Sequence, residues 1–93
     1  MTGRLLAADV LSADLGPLAT VGVTEVGLWG MEPGTDRDTE VDEVFVVLAG
    51  LGTVAFEDGE VIELRPGTAV RLRAGERTLW TVTETLRKWY VAI

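Results

Sequence analysis

Between residues 43 and 73 the apolar positions come in short bursts broken by glycine. Val44–Ala49 is apolar and rich in β-branched residues, Gly50-Leu51-Gly52 predicts a turn, and Thr53–Glu57 alternates. Asp58-Gly59 is a strong hairpin signal, because glycine tolerates the positive φ of a tight primed turn. Val61–Leu64 then returns and Pro66-Gly67 turns again, proline setting φ at its own position and glycine supplying freedom after it. Downstream, Ala74-Gly75-Glu76 reads as a turn, with final strands over Thr78–Thr83 and Leu86–Ile93. Upstream, Val21–Glu32 alternates loosely, Val23, Glu25, Gly27 and Trp29 on one face and Thr24, Val26, Leu28 and Gly30 on the other. Pro33-Gly34 ends that strand, and the polar, acidic stretch Thr35–Asp42 predicts a loop. Near the start, Leu5, Leu6, Val10 and Leu11 fit either an edge strand or one helical turn; a strand over about 4–10, broken by Gly16-Pro17, is expected. No segment longer than ten residues carries a helical period. About six to nine short strands with regular turn signals mean an all-β sandwich or barrel. The expected organisation is one domain, with an N-terminal strand or arm over 1–20 and a barrel over 21–93.

A chain of 93 residues, 47% hydrophobic, has enough apolar material for one core. At this size it buries roughly 60–65% of its unfolded surface, so any partner surface matters to its stability. Cysteine is absent, which removes disulfides, thiolate nucleophiles and zinc-thiolate sites together. No apolar run reaches the length of a membrane-spanning helix, and no signal peptide is read at the N-terminus. A cytoplasmic setting and no membrane partner are expected.

Charge changes the picture through its placement. From Asp36 to Glu63 the acids Asp36, Asp38, Glu40, Asp42, Glu43, Glu57, Asp58, Glu60 and Glu63 face Arg37 alone. From Leu64 onward Arg65, Arg71, Arg73, Arg77, Arg87 and Lys88 outnumber Glu76 and Glu84. In an antiparallel fold the two halves can pair across strands. A net charge of −7 with no basic patch interleaved with aromatics argues against a nucleic-acid partner.

The spacing then resembles a family. The first cupin motif, G-x5-H-x-H-x4-E-x6-G, aligns as Gly30, Asp36, Asp38, Glu43 and Gly50, with every interval kept and both histidines replaced. The second, G-x5-P-x-G-x2-H-x3-N, aligns as Gly67, Arg73, Gly75, Thr78 and Val82, keeping only its glycines. Gly27-Leu28-Trp29 with Pro33-Gly34, and Thr78–Val82 with Arg87–Val91, are similar to the small cupins related to (S)-ureidoglycine aminohydrolase and the ethanolamine-utilization cupin. The resemblance covers roughly residues 21–93 and implies a jelly-roll-like, double-sheet cupin barrel.

Metal-using members of that family hold Mn, Fe, Ni or Zn with three imidazoles and the glutamate; here Asp36, Asp38, Glu43 and Thr78 stand at those positions, and the chain has no histidine. No cofactor is therefore expected; if any metal bound, it would be a hard divalent cation on Asp36, Asp38 and Glu43, which otherwise repel one another. The plainer reading makes Asp36 and Asp38 solvated loop acids with Glu43 alone pointing inward, and a third makes the pocket acidic for a cationic or polyhydroxyl ligand. Glu43 is the sharpest residue, because a carboxylate at the mouth of an apolar strand must be paired, hydrated or protonated. Thr78 and Trp80 share a face, so Trp80 is pocket wall or core. Arg71 and Arg73 either pair with the acidic half or clamp an anion in the pocket. Trp29, Phe45, Phe56, Trp89 and Tyr90 belong to core or subunit interface.

Two function classes follow. One is a metal-free module binding a small polar molecule through Glu43, Arg71, Arg73, Thr78 and Trp80, or serving only to dimerise. The other is a cupin-type enzyme with Glu43 as general acid or base; lacking His and Cys, it would move protons with carboxylates, Tyr90 or Lys88. Val44, Val46 and Leu48 alternate with Phe45, Val47 and Ala49, leaving both faces of that strand apolar. Something must cover the outer face, and a homodimer including the N-terminal strand and Trp89 or Trp29 is expected.

Overall fold

In the computed structural model, which describes residues 3–93, seven strands account for the regular structure: β1 (Leu5–Ala7), β2 (Glu25–Met31), β3 (Gly34–Thr39), β4 (Glu43–Phe56), β5 (Val61–Leu64), β6 (Ala69–Leu72) and β7 (Arg77–Ala92). Every pairing is antiparallel. No helix among the described residues is long and apolar enough to cross a membrane.

The two long strands are the frame. β4 and β7 pair from Glu43↔Ala92 to Phe56↔Thr78, with the register slipping between Val47 and Gly52. The first half of β4 and the second half of β7 are flanked by β6, β1 and β2, while the opposite halves are flanked by β5 and β3. One hydrogen-bonded sheet therefore folds over itself into two layers, the double-sheet cupin barrel expected. Phe45, Val47, Val70, Leu72 and Leu86 from one layer and Val54, Phe56, Ile62, Leu64, Trp80 and Val82 from the other form a single buried cluster.

The Gly50–Gly52 turn expected from the sequence is instead a bend inside β4. Gly50 has φ +96°, and a Cβ there would stand 2.2 Å from Thr85 O; one on Gly52 would stand 2.4 Å from Thr81 O. These glycines let β4 cross closely over β7 as it changes layers, which a side chain would prevent. For the same reason Thr78–Thr83 and Leu86–Ile93 are parts of one strand. Asp58-Gly59 is a hairpin turn as expected, closed by Phe56 N–H donating to Glu60 O at 2.8 Å. The loop expected over Thr35–Asp42 is replaced over Gly34–Thr39 by β3, which pairs with β7 from Gly34↔Val82 to Thr39↔Arg77. Its polarity reads as loop because both of its faces meet solvent; ladder bonds to β7 override that local preference.

The N-terminal segment is tied to its own barrel. β1 pairs with β6, and Arg4, 6% exposed, donates to Asp58 (2.8 Å), Glu60 (2.5 Å) and Glu76 (2.7 Å) while stacking 4.0 Å over the Phe56 ring. Burial works against its charge, but bonds to Glu60, Glu76 and Asp58 outweigh burial and push its pKa up. The expected bridging of acidic and basic halves is made by Arg65 with Glu63, Arg77 with Glu57 and Lys88 with Glu43, and Arg4, which lies outside both halves, adds its own bonds to each of them.

Candidate functional site

One parity of β7 builds the site. Thr78, Trp80, Val82, Leu86 and Lys88 are buried, with Tyr90 partly so, and all lie on the inward face. β3 sets Asp36 opposite Trp80 and Asp38 opposite Thr78, so both aspartates stand on that same face, exposed at the edge. Glu40 is next in that series but lies beyond the strand. Its backbone is pinned by Glu40 N–H donating to Glu76 O (2.8 Å) and Gly75 N–H donating to Glu40 O (2.9 Å). The carboxylate is buried at 7% exposure, where Oε2 accepts from Thr78 Oγ1 at 2.7 Å and from Trp80 Nε1 at 3.0 Å. Burial pushes its pKa up, against the pull of those two donors.

A second buried acid lies nearby. Glu43, at the start of β4, accepts from Lys88 Nζ at 2.6 Å, and the two residues are 8% and 4% exposed. The ammonium sits among three rings, 4.4 Å from the centroid of Phe45, 4.9 Å from Trp29 and 5.0 Å from Trp80, so aromatic faces and a carboxylate together replace its lost hydration. Tyr90 completes the rim, donating to Glu25 Oε2 at 2.6 Å, which pushes the phenol pKa up. Its ring occupies space opened by Gly27, where a Cβ would meet Tyr90 Oη at 2.7 Å. The result is a cleft of about 370 Å³ walled by Trp29, Trp80 and Tyr90, with Glu25, Asp36, Asp38, Glu40 and Glu43 against Lys88.

The profile of the EutQ-like cupin domain matches residues 18–90, most of the chain. This protein belongs to the EutQ-like cupin family. It is similar to a DUF861-family protein from Thermotoga maritima (28% identity, TM-score 0.67, covering 72% of this chain and 77% of that one). It is similar also to a DUF1255 protein from Acidithiobacillus ferrooxidans (27%, TM-score 0.62, 66% and 59%). An ethanolamine utilization protein Q from Salmonella typhimurium matches at 25% identity and TM-score 0.63, covering 72% of this chain and 55% of that longer one. No curated protein sequence matches.

Within this EutQ-like cupin the residues singled out from sequence divide. Glu43 and Trp80 line the cleft, while Thr78 is buried outside its lining and joins it only through the bond to Glu40. Asp36 and Asp38 line it too, from a strand and not the expected loop. Arg71 and Arg73 do not belong to the cleft: Val70 and Leu72 take the inward face of β6, so Arg71, opposite Val44, points outward, and Arg73 lies past the strand end. The cation of the site is Lys88. The residues present do not fit a cupin metal. Thr78 is bonded to Glu40, Glu43 is bonded to Lys88, and among the described residues no three His, Cys, Asp or Glu side chains gather as a metal-holding group. Phe45 and Phe56 are core, Trp29 and Tyr90 pack against it, and Trp89 lies on the outer face, 41% exposed.

Sequence reasoning passed over Glu40, although its spacing of two from Asp38 was the available signal. It named Lys88 and Tyr90 without a face. The signal there was composition: Lys88 is the one lysine among eight basic residues, the other seven being arginine.

Proposed function

We propose that this EutQ-like cupin binds a small polar molecule, polyhydroxylated or cationic, in the cleft between β2, β3 and β7 without a transition metal. The observation that carries the reading is the pair of buried acids, Glu40 and Glu43, beneath aromatic walls in a cleft whose single cation is already bonded to Glu43. Aromatic faces offer an organic cation its preferred surface, and the rim carboxylates Asp36, Asp38 and Glu25 offer it countercharge. The compound for which the Salmonella relative is named, ethanolamine, is a small hydroxylated cation of this kind. The resemblance of Gly27-Leu28-Trp29 and Thr78–Val82 to the small cupins related to (S)-ureidoglycine aminohydrolase is a further support for a small nitrogenous ligand.

A thermal-shift screen of amino alcohols, polyols and carboxylic acids against the protein, alongside metal analysis, tests this. Stabilisation by cations or polyols, reduced in Asp36→Asn/Asp38→Asn and undiminished by chelator, is expected. Stabilisation confined to carboxylic acids, or appearing only with added Fe, Ni or Zn, would overturn it.

We further propose that the chain works as a homodimer. What supports this is the outer face of the β2–β7–β4 layer, where Val26, Leu28, Val44, Val46 and Trp89 form an apolar surface, with Leu28 70% and Val26 53% exposed.

A further inference from the structure

We propose that Lys88 is a covalent attachment point, its amine condensing with the carbonyl carbon of a small uncharged or cationic aldehyde or ketone held in the cleft. The proposal rests on the cleft being a ligand site, and its grounds are composition and geometry. Seven of the eight basic positions carry arginine, a group that stays protonated in proteins and cannot act as a nucleophile. The eighth carries the one side-chain amine of the chain, and it is the one lining the acidic cleft. A buried ion pair kept only for structure gains little over apolar residues of the same size, and arginine's fork would hold a carboxylate with two bonds where lysine offers one. Lysine brings what arginine lacks, an amine that becomes nucleophilic when its proton is taken.

Glu43 Oε2, 2.6 Å from Nζ, is placed to take that proton. The freed amine attacks the carbonyl carbon, forming the C–N bond as the π electrons pass to oxygen. The oxygen gains a proton and the nitrogen loses one, both exchanged with the Glu40 carboxyl, giving a neutral carbinolamine. Glu43 then returns its proton to the hydroxyl, the C–O bond breaks, and water leaves an iminium on Nζ. One carbonyl compound and one ammonium thus yield one iminium and one water, with both glutamates restored. The three rings around Nζ face the resulting cation as they face the ammonium. Substrate class follows from the rim. Glu25, Asp36 and Asp38 repel α-keto acids and admit uncharged or amine-bearing carbonyl compounds.

The test uses the full chain with propionaldehyde, aminoacetaldehyde or pyruvate in the presence of cyanoborohydride, followed by peptide mass analysis. Because the chain has one lysine, a reduced adduct falls either on Lys88 or on the α-amino group, which serves as internal reference. With a positioned base, Lys88 should be modified about a hundredfold faster than the α-amino group by the two aldehydes, and by pyruvate at least tenfold more slowly than by propionaldehyde, about the rate change set by 1.4 kcal/mol of repulsion. Labelling of Lys88 no faster than the α-amino group, or no faster than in the urea-unfolded chain, would overturn the proposal. If glycerol or ethanolamine still stabilises the protein in that event, the cleft reading stands and only the covalent step fails; if neither does, both fall. Glu40→Gln, which keeps the acceptor for Thr78 and Trp80, should slow Lys88 labelling while leaving the α-amino rate unchanged, and an unchanged Lys88 rate would remove Glu40 from the step.

Discussion

Glu43 and Lys88 show how a single side chain can be indispensable to a fold without adding much to its stability. Each is desolvated, and each is tolerated because the other is 2.6 Å away. Glu43→Gln should therefore lower unfolding free energy by about 3–5 kcal/mol in urea titrations, since it strands a buried ammonium. Glu43→Leu combined with Lys88→Met should recover most of that loss. Glu40 behaves differently, because burial raises its pKa above the ordinary value of 4.5. The folded state then holds the proton more tightly than the unfolded chain, so the stability Glu40 contributes is complete below 4.5 and is lost as pH rises through its folded value. Glu40→Gln should gain on the parent protein across that window in denaturation curves at successive pH values; a constant difference would mean that Glu40 titrates normally. The cupin spacing led to Glu43, Thr78 and Trp80 but passed over Glu40, whose side chain is aimed by backbone bonds to Gly75 and Glu76, contacts that no local pattern encodes. The face of Arg71 was equally illegible, because Ala69-Val70-Arg71-Leu72 has apolar residues at both parities.

Strand identity was legible where a glycine makes a hairpin and illegible where it makes a crossing. Gly50 and Gly59 share φ +96°, yet one lies in a bend of β4 against Thr85 and Leu86 while the other has nothing within 4 Å of its virtual Cβ. Sequence sees the same residue in both places, and only the partner strand distinguishes them. The pair makes a controlled comparison. Gly59→Ala should cost about 1–2 kcal/mol, the ordinary penalty of a left-handed backbone. Gly50→Ala should cost at least about 2 kcal/mol more, because the methyl would stand 2.2 Å from Thr85 O and force β4 off β7. Equal losses by thermal denaturation would show that the crossing yields to a methyl group. β3 was missed for the complementary reason: its residues are exposed on both faces, and what makes it a strand is the free edge of β7 beside it.

In the assembled molecule Val26, Val44, Val46 and Trp89 lie outside the acidic cleft, whose lining shares only Leu28 with the apolar outer face, so a second copy can cover that face while leaving most of the cleft open. Sedimentation equilibrium should give a dimer at micromolar concentration, and Leu28→Glu, which charges an exposed position, should shift it to monomer with the fold intact; a wild-type monomer would count against the proposal. The bent strands have a further consequence, in the time domain. Since β4 and β7 each belong to both layers, neither layer can separate while the other persists, and the barrel has no internal seam along which to open partially. Amides of Val47 and Val54, on opposite sides of the bend, should exchange with deuterium at one common rate set by global unfolding, whereas amides of β1 and β3 at the edges should exchange faster through local fraying. Two distinct rates for Val47 and Val54 would mean that the bend is a hinge.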